Sequence, residues 1–354
     1  MKRKSVVRLG ALGAIVAVAL TTAIAGPALA DPAAGTFKPI VGTGSDTTQD
    51  VLNGLAGAIP DLGSYDATGS ATIQVSAGGP TFNRPNGSTN GVKALTASVN
   101  APGNLLWGGQ TITGQLDFAR SSSGPAAAGT DLTYIPFAKD AVTFAVLETS
   151  DFPRNIQLGT ASDAPTKFTL RNIYKCTVTS FPNAAGDPVT IVPLIPQAGS
   201  GTRSFWQSQL GLSSEGFGPC VTDRSGAVQE HKGDALQAVG EIVPISIAQY
   251  IAQSNSGVTG VDDRRGFAEL GRVNAAKPIV MSAGKPAMNG SFPVSRQVYN
   301  VVPTASLGDA QIAATFVGSG SAVCSNAAVI QSFGFATIGS ACGSTTTKGA
   351  FINP

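Results

Sequence analysis

The sequence has little charge and a single histidine. Of the 354 residues, 12% are Asp, Glu, Lys or Arg, the net charge is only +2, and the one histidine is His231. No basic run follows residue 30, so nucleic acid and anionic membranes are poor partners. No CxxC pair is present, so a metal site or a metal-dependent phosphatase has little support, and we expect no cofactor.

A serine-hydrolase signature is also missing. No GxSxG elbow occurs anywhere in the chain. A Ser-His-Asp arrangement would have to use His231, which lies in the polar run QEHKG. A secreted hydrolase therefore stays only as a minor alternative, and we expect no enzymatic activity.

The first thirty residues have the pattern of an export signal. A basic start, Lys2 to Lys4 and Arg8, precedes an apolar run, and Ala28-Leu29-Ala30 is a small-x-small cleavage site. A membrane-spanning helix is the alternative, but Gly and Thr break the apolar run. No cysteine follows it, so the usual lipoprotein anchor is not expected. We predict a signal peptide over 1–30, cleavage near Ala30, and a secreted or extracytoplasmic protein, in a periplasm or at a cell surface.

The four cysteines suit an oxidising compartment. Three pairings are possible among Cys176, Cys220, Cys324 and Cys342. We favour Cys176 with Cys220 and Cys324 with Cys342, because each pair then stays within one predicted lobe. A metal site is the competing interpretation of these cysteines.

Three turns of small residues each join a β-prone run to a helical pattern. They are Gly42–Asp46, Asn86–Gly91 and Gly199–Thr202, and the helix after the first would be capped by Ser45 or Asp46. Helix N-termini offer free N–H groups and about half a positive charge, so such turns favour anions. Taken alone, each is equally well an ordinary strand-to-helix connection.

The order of the predicted elements indicates the fold class. Short β-prone runs alternate with helical segments, and the run Tyr134–Val146 is strongly β-prone although a charged pair interrupts it. This alternation predicts an α/β protein with mainly parallel sheets. Ligands of such sheets lie at the carboxyl ends of strands, where the glycine turns occur.

Several of these segments together resemble a known family. GSTNGVK, LDFARSSSGP, YIPFAKDAVTFAV, GSGTRSFW and VGEIVPISIAQYIA resemble stretches of the phosphate-binding subunits of phosphate ABC transporters. These are two-lobed solute-binding proteins of the type II periplasmic-binding class. The resemblance runs from about Gly42 to Tyr250, with a looser continuation to Tyr299.

The resemblance implies two α/β lobes joined by a two-strand hinge. The crossing strands would lie near Tyr134–Phe137 and near Val243–Ile247. Lobe 1 would then be discontinuous, residues 31–135 plus 247–354, and lobe 2 would be residues 136–246.

The same resemblance implies an oxyanion site between the lobes. Ser88, Ser200, Gly201 and Thr202 agree in identity with the family's ligand contacts, and the first glycine loop matches in position. The expected ligand-binding residues are Gly44, Ser45, Asp46, Thr47, Ser88, Arg120, Ser121, Ser122, Ser200, Gly201, Thr202 and Arg203.

Three positions depart from the family pattern. Ser122 stands where the family commonly has a proton-accepting aspartate, Pro196 where some members have an arginine, and Asp46 where a threonine is frequent. A cation must then come from elsewhere, and Arg120 or Arg203 is the candidate, since guanidinium binds two oxygens at once. Asp46 could be a relocated proton acceptor. The alternatives are a helix cap for Asp46 and a surface position for Arg203.

The function implied by the resemblance is binding of phosphate or a similar oxyanion for uptake through an ABC permease. The protein would act as a monomer, by closure of its lobes and without chemistry. A secreted interaction or surface protein that keeps the fold without transport is the alternative. The altered ligand positions and the missing anchor cysteine both favour that alternative.

Overall fold

The computed structural model describes residues 31–354, in which short strands alternate with short helices. The predicted export signal lies outside the described residues. The strands are β1 (Ile40–Gly44), β2 (Leu62–Ser64), β3 (Thr72–Ile73), β4 (Phe82–Asn83), β5 (Phe118–Ser121), β6 (Leu132–Leu147), β7 (Asn155–Ile156), β8 (Ser180–Pro182), β9 (Pro188–Thr190), β10 (Val192–Pro193), β11 (Glu241–Ser246), β12 (Ala268–Leu270), β13 (Arg272–Val273), β14 (Ile279–Ser282), β15 (Lys285–Met288), β16 (Ser295–Pro303) and β17 (Lys348–Gly349). The α-helices are α1 (Gln49–Ala58), α2 (Ser88–Val99), α3 (Leu170–Tyr174), α4 (Gly201–Gln209), α5 (Ile247–Ser254), α6 (Ser256–Thr259), α7 (Ala310–Phe316), α8 (Ala322–Ser325) and α9 (Ala327–Ser332).

The main sheet has parallel pairs at both ends and antiparallel pairs in its middle. Its order is β10-β11-β6-β16-β5-β1-β2, with β12 and β17 also paired to β6. Strand β1 runs parallel to β2 and β5, and β10 runs parallel to β11. The predicted α/β class and two-lobed architecture are confirmed, and the antiparallel pairs of β6 join the two parallel regions.

Strand β6 connects the two halves of the molecule. Its first part pairs with β16 and its last part with β11, so its 16 residues pass from one lobe into the other. The first expected crossing, Tyr134–Phe137, lies within β6. The second, Val243–Ile247, lies where β11 ends and α5 begins, with Ser246 as the N-cap of α5.

The hydrophobic core is divided between the lobes. In the first lobe, α1 packs Val51, Leu52 and Leu55 against Phe118. In the second lobe, Trp206 belongs to one buried cluster with Phe144, Tyr174, Val273, Phe292 and Val294. Because that cluster continues to Val294, the packing favours a second lobe that extends beyond residue 246.

Both favoured disulfides are present. Cys176 bonds to Cys220 beside the core of the second lobe, and Cys324 bonds to Cys342 in the first. The cysteines thus cross-link each lobe internally, as expected from their positions.

One predicted cap is wrong. Helix α1 begins at Gln49 with Thr48 as its N-cap, and no side chain caps it, so neither Ser45 nor Asp46 has that role. Instead, the peptide chain from Asp46 to Thr48 makes a turn before the helix, which leaves the Asp46 side chain buried. Between residues 31 and 354, no helix is long and apolar enough to cross a membrane.

Candidate functional site

Four hydroxyl groups from distant parts of the chain meet in one buried cluster. Thr47 Oγ1 lies 3.2 Å from both Ser122 Oγ and Thr202 Oγ1, and Ser122 Oγ lies 3.2 Å from Ser88 Oγ. All four side chains are almost fully buried. Thr47 follows β1, Ser88 begins α2, Ser122 follows β5 and Thr202 lies at the start of α4. The turns singled out in the sequence therefore converge here. We call Thr47, Ser88, Ser122 and Thr202 the hydroxyl cluster.

The fold brings these turns together through close backbone packing. Strands β1 and β5 are parallel neighbours, so their carboxyl ends lie side by side. At the start of α4, a Cβ on Gly201 would lie 2.3 Å from the hydroxyl oxygens of both Ser88 and Ser122. Only glycine therefore allows α4 to approach the first lobe at this distance.

A carboxylate of the chain itself lies against the hydroxyl cluster. Glu230 Oε2 accepts hydrogen bonds from Thr47 Oγ1 at 2.7 Å and Thr202 Oγ1 at 3.0 Å, and His231 Nε2 lies 3.1 Å away. Burial alone would raise the pKa of Glu230, but the hydrogen bond and charge of His231, with the hydrogen bond from Thr47, lower it to about 2. Glu230 is therefore an anion within the cleft.

Arg296 supplies the guanidinium of the site. Its Nη2 lies 2.8 Å from Thr202 Oγ1 and 3.2 Å from Thr47 Oγ1, and Nη2 and Nε donate to Asp140 Oδ2 at 2.9 and 3.1 Å. Asp140 also accepts from Ser246 Oγ at 2.7 Å. The carboxylate thus fixes the guanidinium against the hydroxyls, and both side chains of the ion pair are buried.

The two arginines expected from the sequence have other partners. Arg203 donates to the Pro196 carbonyl and to Asp223 Oδ2, both at 2.9 Å, and its side chain is 30% exposed. Arg120 is fully buried and donates to the backbone carbonyls of Ser45 and Tyr65. Neither arginine has a hydrogen bond to the hydroxyl cluster. Arg120 instead holds the first glycine loop in place.

Asp46 is buried close to this site. Its side chain is 1% exposed, and Oδ1 has no hydrogen-bond partner among residues 31–354. Burial raises its pKa to about 7, although the charge of His231 opposes that change. A carboxyl group with this pKa can carry a proton near neutrality.

The remaining expected residues shape the loops. Ser45 N–H donates to the Arg120 carbonyl, and Ser121 Oγ donates to the Ser123 carbonyl. Ser200 is the N-cap of α4 and accepts from the Arg203 N–H at 2.9 Å. Gly44 has a φ of +129°, and a Cβ there would lie 2.7 Å from the Arg120 carbonyl. These four residues position the backbone on which the hydroxyl cluster is built.

The hydrolase alternative gains no support from His231. A catalytic triad needs the carboxylate on one ring nitrogen and the hydroxyl on the other. Here Glu230 Oε2 and Thr47 Oγ1 both lie at Nε2, and Nδ1 has no partner within residues 31–354. The same part of the chain contains no group of three or more His, Cys, Asp and Glu side chains arranged for a metal ion.

Sequence reasoning missed Arg296, Asp140 and Glu230 as site residues. A charged residue inside a β-prone run, as in SRQVYNVVP, is the one signal that could have indicated Arg296. The charged pair in the Tyr134–Val146 run gave the matching signal for Asp140. Glu230 lies in a run that is polar throughout, where nothing local distinguishes a buried carboxylate from a solvated one.

Comparison with known proteins places the fold. Two solved structures match with TM-scores of 0.52 and 0.50: a putative phosphate ABC transporter substrate-binding protein from Clostridium perfringens, at 15% identity, and an ABC-type phosphate transport receptor from Vibrio cholerae, at 17%. Each alignment covers 84% of this chain and, respectively, 99% and 100% of the other. No curated protein matches the chain.

A family model matches a much longer part of the chain than any of the motifs described above. The model described as "PBP superfamily domain" matches residues 26–318, most of the chain. It includes all four members of the hydroxyl cluster as well as Glu230 and Arg296. The chain belongs to the PBP superfamily.

Proposed function

We propose that the chain is an exported solute-binding protein that takes an inorganic oxyanion, with phosphate as the first candidate, into the cleft between its lobes. The observation that carries the proposal is that hydroxyls from both lobes already hold one anionic oxygen, Glu230 Oε2, beside the Arg296 guanidinium. An oxygen of a bound oxyanion would use the same donors.

The donors suit a tetrahedral anion. Hydroxyl hydrogens can rotate toward several oxygens, and a guanidinium stays charged and presents a planar fork. Arg296 Nη1 has no hydrogen-bond partner among residues 31–354, so this side chain retains an N–H group for a ligand. The two solved structures described as phosphate-transport proteins have the same fold, and phosphate is chosen as the first candidate for that reason.

Ligand entry requires the lobes to separate. Thr47 and Thr202 are fully buried, and the Thr89 N–H donates to the Gly199 carbonyl across the cleft at 3.2 Å. Opening and closing of the lobes would expose and enclose the site. Delivery of the ligand to a membrane ABC permease, by a monomeric secreted protein, is the role we propose for this motion.

A second candidate role is a secreted binding protein that keeps this fold without transport. The observation that favours it is the same carboxylate, because Glu230 already occupies the donors in the closed cleft. The two roles differ in whether any inorganic oxyanion binds.

Thermal unfolding and calorimetric titration with phosphate, sulfate and molybdate test the proposal. A ligand at about a hundred times its Kd should add about 2.7 kcal/mol of stability. Thr202→Val removes one hydroxyl of the cluster and should weaken binding about ten-fold. Thr96→Val is the matched control, since Thr96 is buried in α2 and donates to the Val92 carbonyl away from the cleft. No stabilisation by any of the three anions would contradict oxyanion binding.

A further inference from the structure

The Glu230 carboxylate lies where the proposed anion would bind. It is fully buried, and one oxygen takes the hydroxyl hydrogens of Thr47 in the first lobe and Thr202 in the second. Each hydroxyl has a single hydrogen to donate. The two threonines therefore cannot donate to Glu230 and to an external anion at the same time.

Charge makes the conflict stronger. Two anions a few ångströms apart in a buried site repel each other, and Arg296 already compensates Asp140. A second anion beside Glu230 would compete with it for the hydroxyl hydrogens of Thr47 and Thr202, and His231 Nε2 already lies 3.1 Å from Glu230 Oε2. The two threonine hydroxyls therefore serve one anion at a time.

From these contacts we infer that Glu230 is an internal ligand: its carboxylate closes the cleft when no anion is bound, and an external oxyanion binds by displacing it. The inference rests on the proposed function and adds a competitor to it. Affinity is then set by the difference between two anions for the same donors, which makes Glu230 a determinant of affinity and specificity.

Residues 223–232 form the segment that carries Glu230 and holds its side chain inward. His231 has a φ of +60°, a left-handed conformation that non-glycine residues seldom adopt. The preceding Gln229 accepts from Asn86 of the first lobe at 3.0 Å, and Gln253 Nε2 donates to the His231 carbonyl at 2.9 Å. Release of Glu230 would break its hydrogen bonds from Thr47 and Thr202 and the contact between Gln229 and Asn86.

The start of the segment is held more firmly. Asp223 is ion-paired with Arg203, and Arg224 is ion-paired with Glu241. Val228 is held as well, because its side chain is buried in a core cluster and its carbonyl accepts from the Gln197 N–H at 2.9 Å. Movement would therefore be confined to the residues that follow Val228. Arg203, singled out from the sequence as a ligand contact, would then act by anchoring the segment.

Titration with inorganic phosphate of the wild type, Glu230→Ala and Glu230→Gln tests the inference. Removal of the carboxylate should tighten phosphate binding about ten-fold to a hundred-fold, because a charge-assisted contact no longer has to be displaced. Glu230→Gln keeps the volume and one acceptor oxygen and should give an intermediate gain. Glu269→Gln is the matched control, because Glu269 is exposed and ion-paired with Arg154 outside the cleft.

A second measurement uses acetate as a replacement for the missing side chain. Acetate should raise the unfolding temperature of Glu230→Ala and leave that of the wild type unchanged. If the wild type binds phosphate and both Glu230 variants bind it equally or more weakly, the inference fails and the proposed function stands. If neither the wild type nor either variant binds any oxyanion, both fail.

Discussion

Replacement of Arg296 by alanine should be costly for both stability and anion binding. The ion pair with Asp140 is buried, with side-chain exposures of 3% and 0%. Alanine would leave the Asp140 carboxylate with Ser246 Oγ and the Ala248 N–H as its hydrogen-bond donors. Removal of one partner from a buried pair costs about 3–5 kcal/mol, because the other charge stays buried without compensation.

The matched comparison is Arg203→Ala. That side chain is 30% exposed and pairs with Asp223 at the surface, so its loss should cost about 0–1 kcal/mol. Phosphate affinity should fall about 10-fold to 150-fold in Arg296→Ala, the range for hydrogen bonds to a charged group. In Arg203→Ala we expect a much smaller change.

Urea unfolding followed by circular dichroism gives the stabilities, and calorimetric titration gives the affinities. A double variant, Arg296→Met with Asp140→Asn, separates the two effects. It removes both buried charges, so it should recover most of the stability and none of the phosphate binding. If Arg296→Ala is as stable as the wild type, or if phosphate binding depends on Arg203 and not on Arg296, then Arg296 is not the guanidinium that binds the anion.

Three further predictions follow from the described contacts. Gly201→Ala should destabilise by about 1–3 kcal/mol and abolish anion binding, measured by urea unfolding and titration, because its Cβ would lie 2.3 Å from two serine oxygens of the hydroxyl cluster. Loss of the Cys176–Cys220 bond should cost about 4 kcal/mol and loss of Cys324–Cys342 about 3 kcal/mol in urea unfolding of the Cys→Ser pairs, since the loops span 44 and 18 residues. The pKa of Asp46 is about 7 in the folded protein, against the ordinary value of 3.8 in the unfolded chain. The free energy of unfolding should therefore fall by up to about 4 kcal/mol as the pH rises from 4 to 7. Asp46→Asn should flatten that part of the dependence of stability on pH.

Much of the fold follows from local sequence signals. The small-residue turns gave the positions where α2 and α4 begin, because α2 follows Gly87, whose φ is +93°, and the Ser200 hydroxyl caps α4. The charged pair in the Tyr134–Val146 run does not end β6, which continues for 16 residues. Asp140 is tolerated there because Arg296, far away in sequence, compensates it.

The candidate site could be predicted from the sequence only in part. The glycine and hydroxyl turns share a pattern that can be recognised locally, and the resemblance gave the order in which they combine. Glu230 has no such pattern, and Arg296 has only its place in a β-prone run, since the partners of a buried charge lie in other segments. Glu230 contacts Thr47 at a sequence separation of 183, and no property of the run QEHKG indicates that contact.

The buried carboxylates limit what the cleft can bind. Asp46, Asp140 and Glu230 are all buried at or near the hydroxyl cluster, whereas Arg296 is the guanidinium that contacts it. A dianion added to this arrangement would be opposed by like charge unless one carboxylate leaves or takes up a proton.

Asp140 cannot leave, because Arg296 and Ser246 hold it from within the strands. Asp46 can take up a proton, given its pKa of about 7, and Glu230 can move with its loop. Anion binding should therefore depend on Asp46 through pH and on Glu230 through competition. Asp46→Asn should reduce the pH dependence of phosphate affinity, whereas Glu230→Gln should raise the affinity itself.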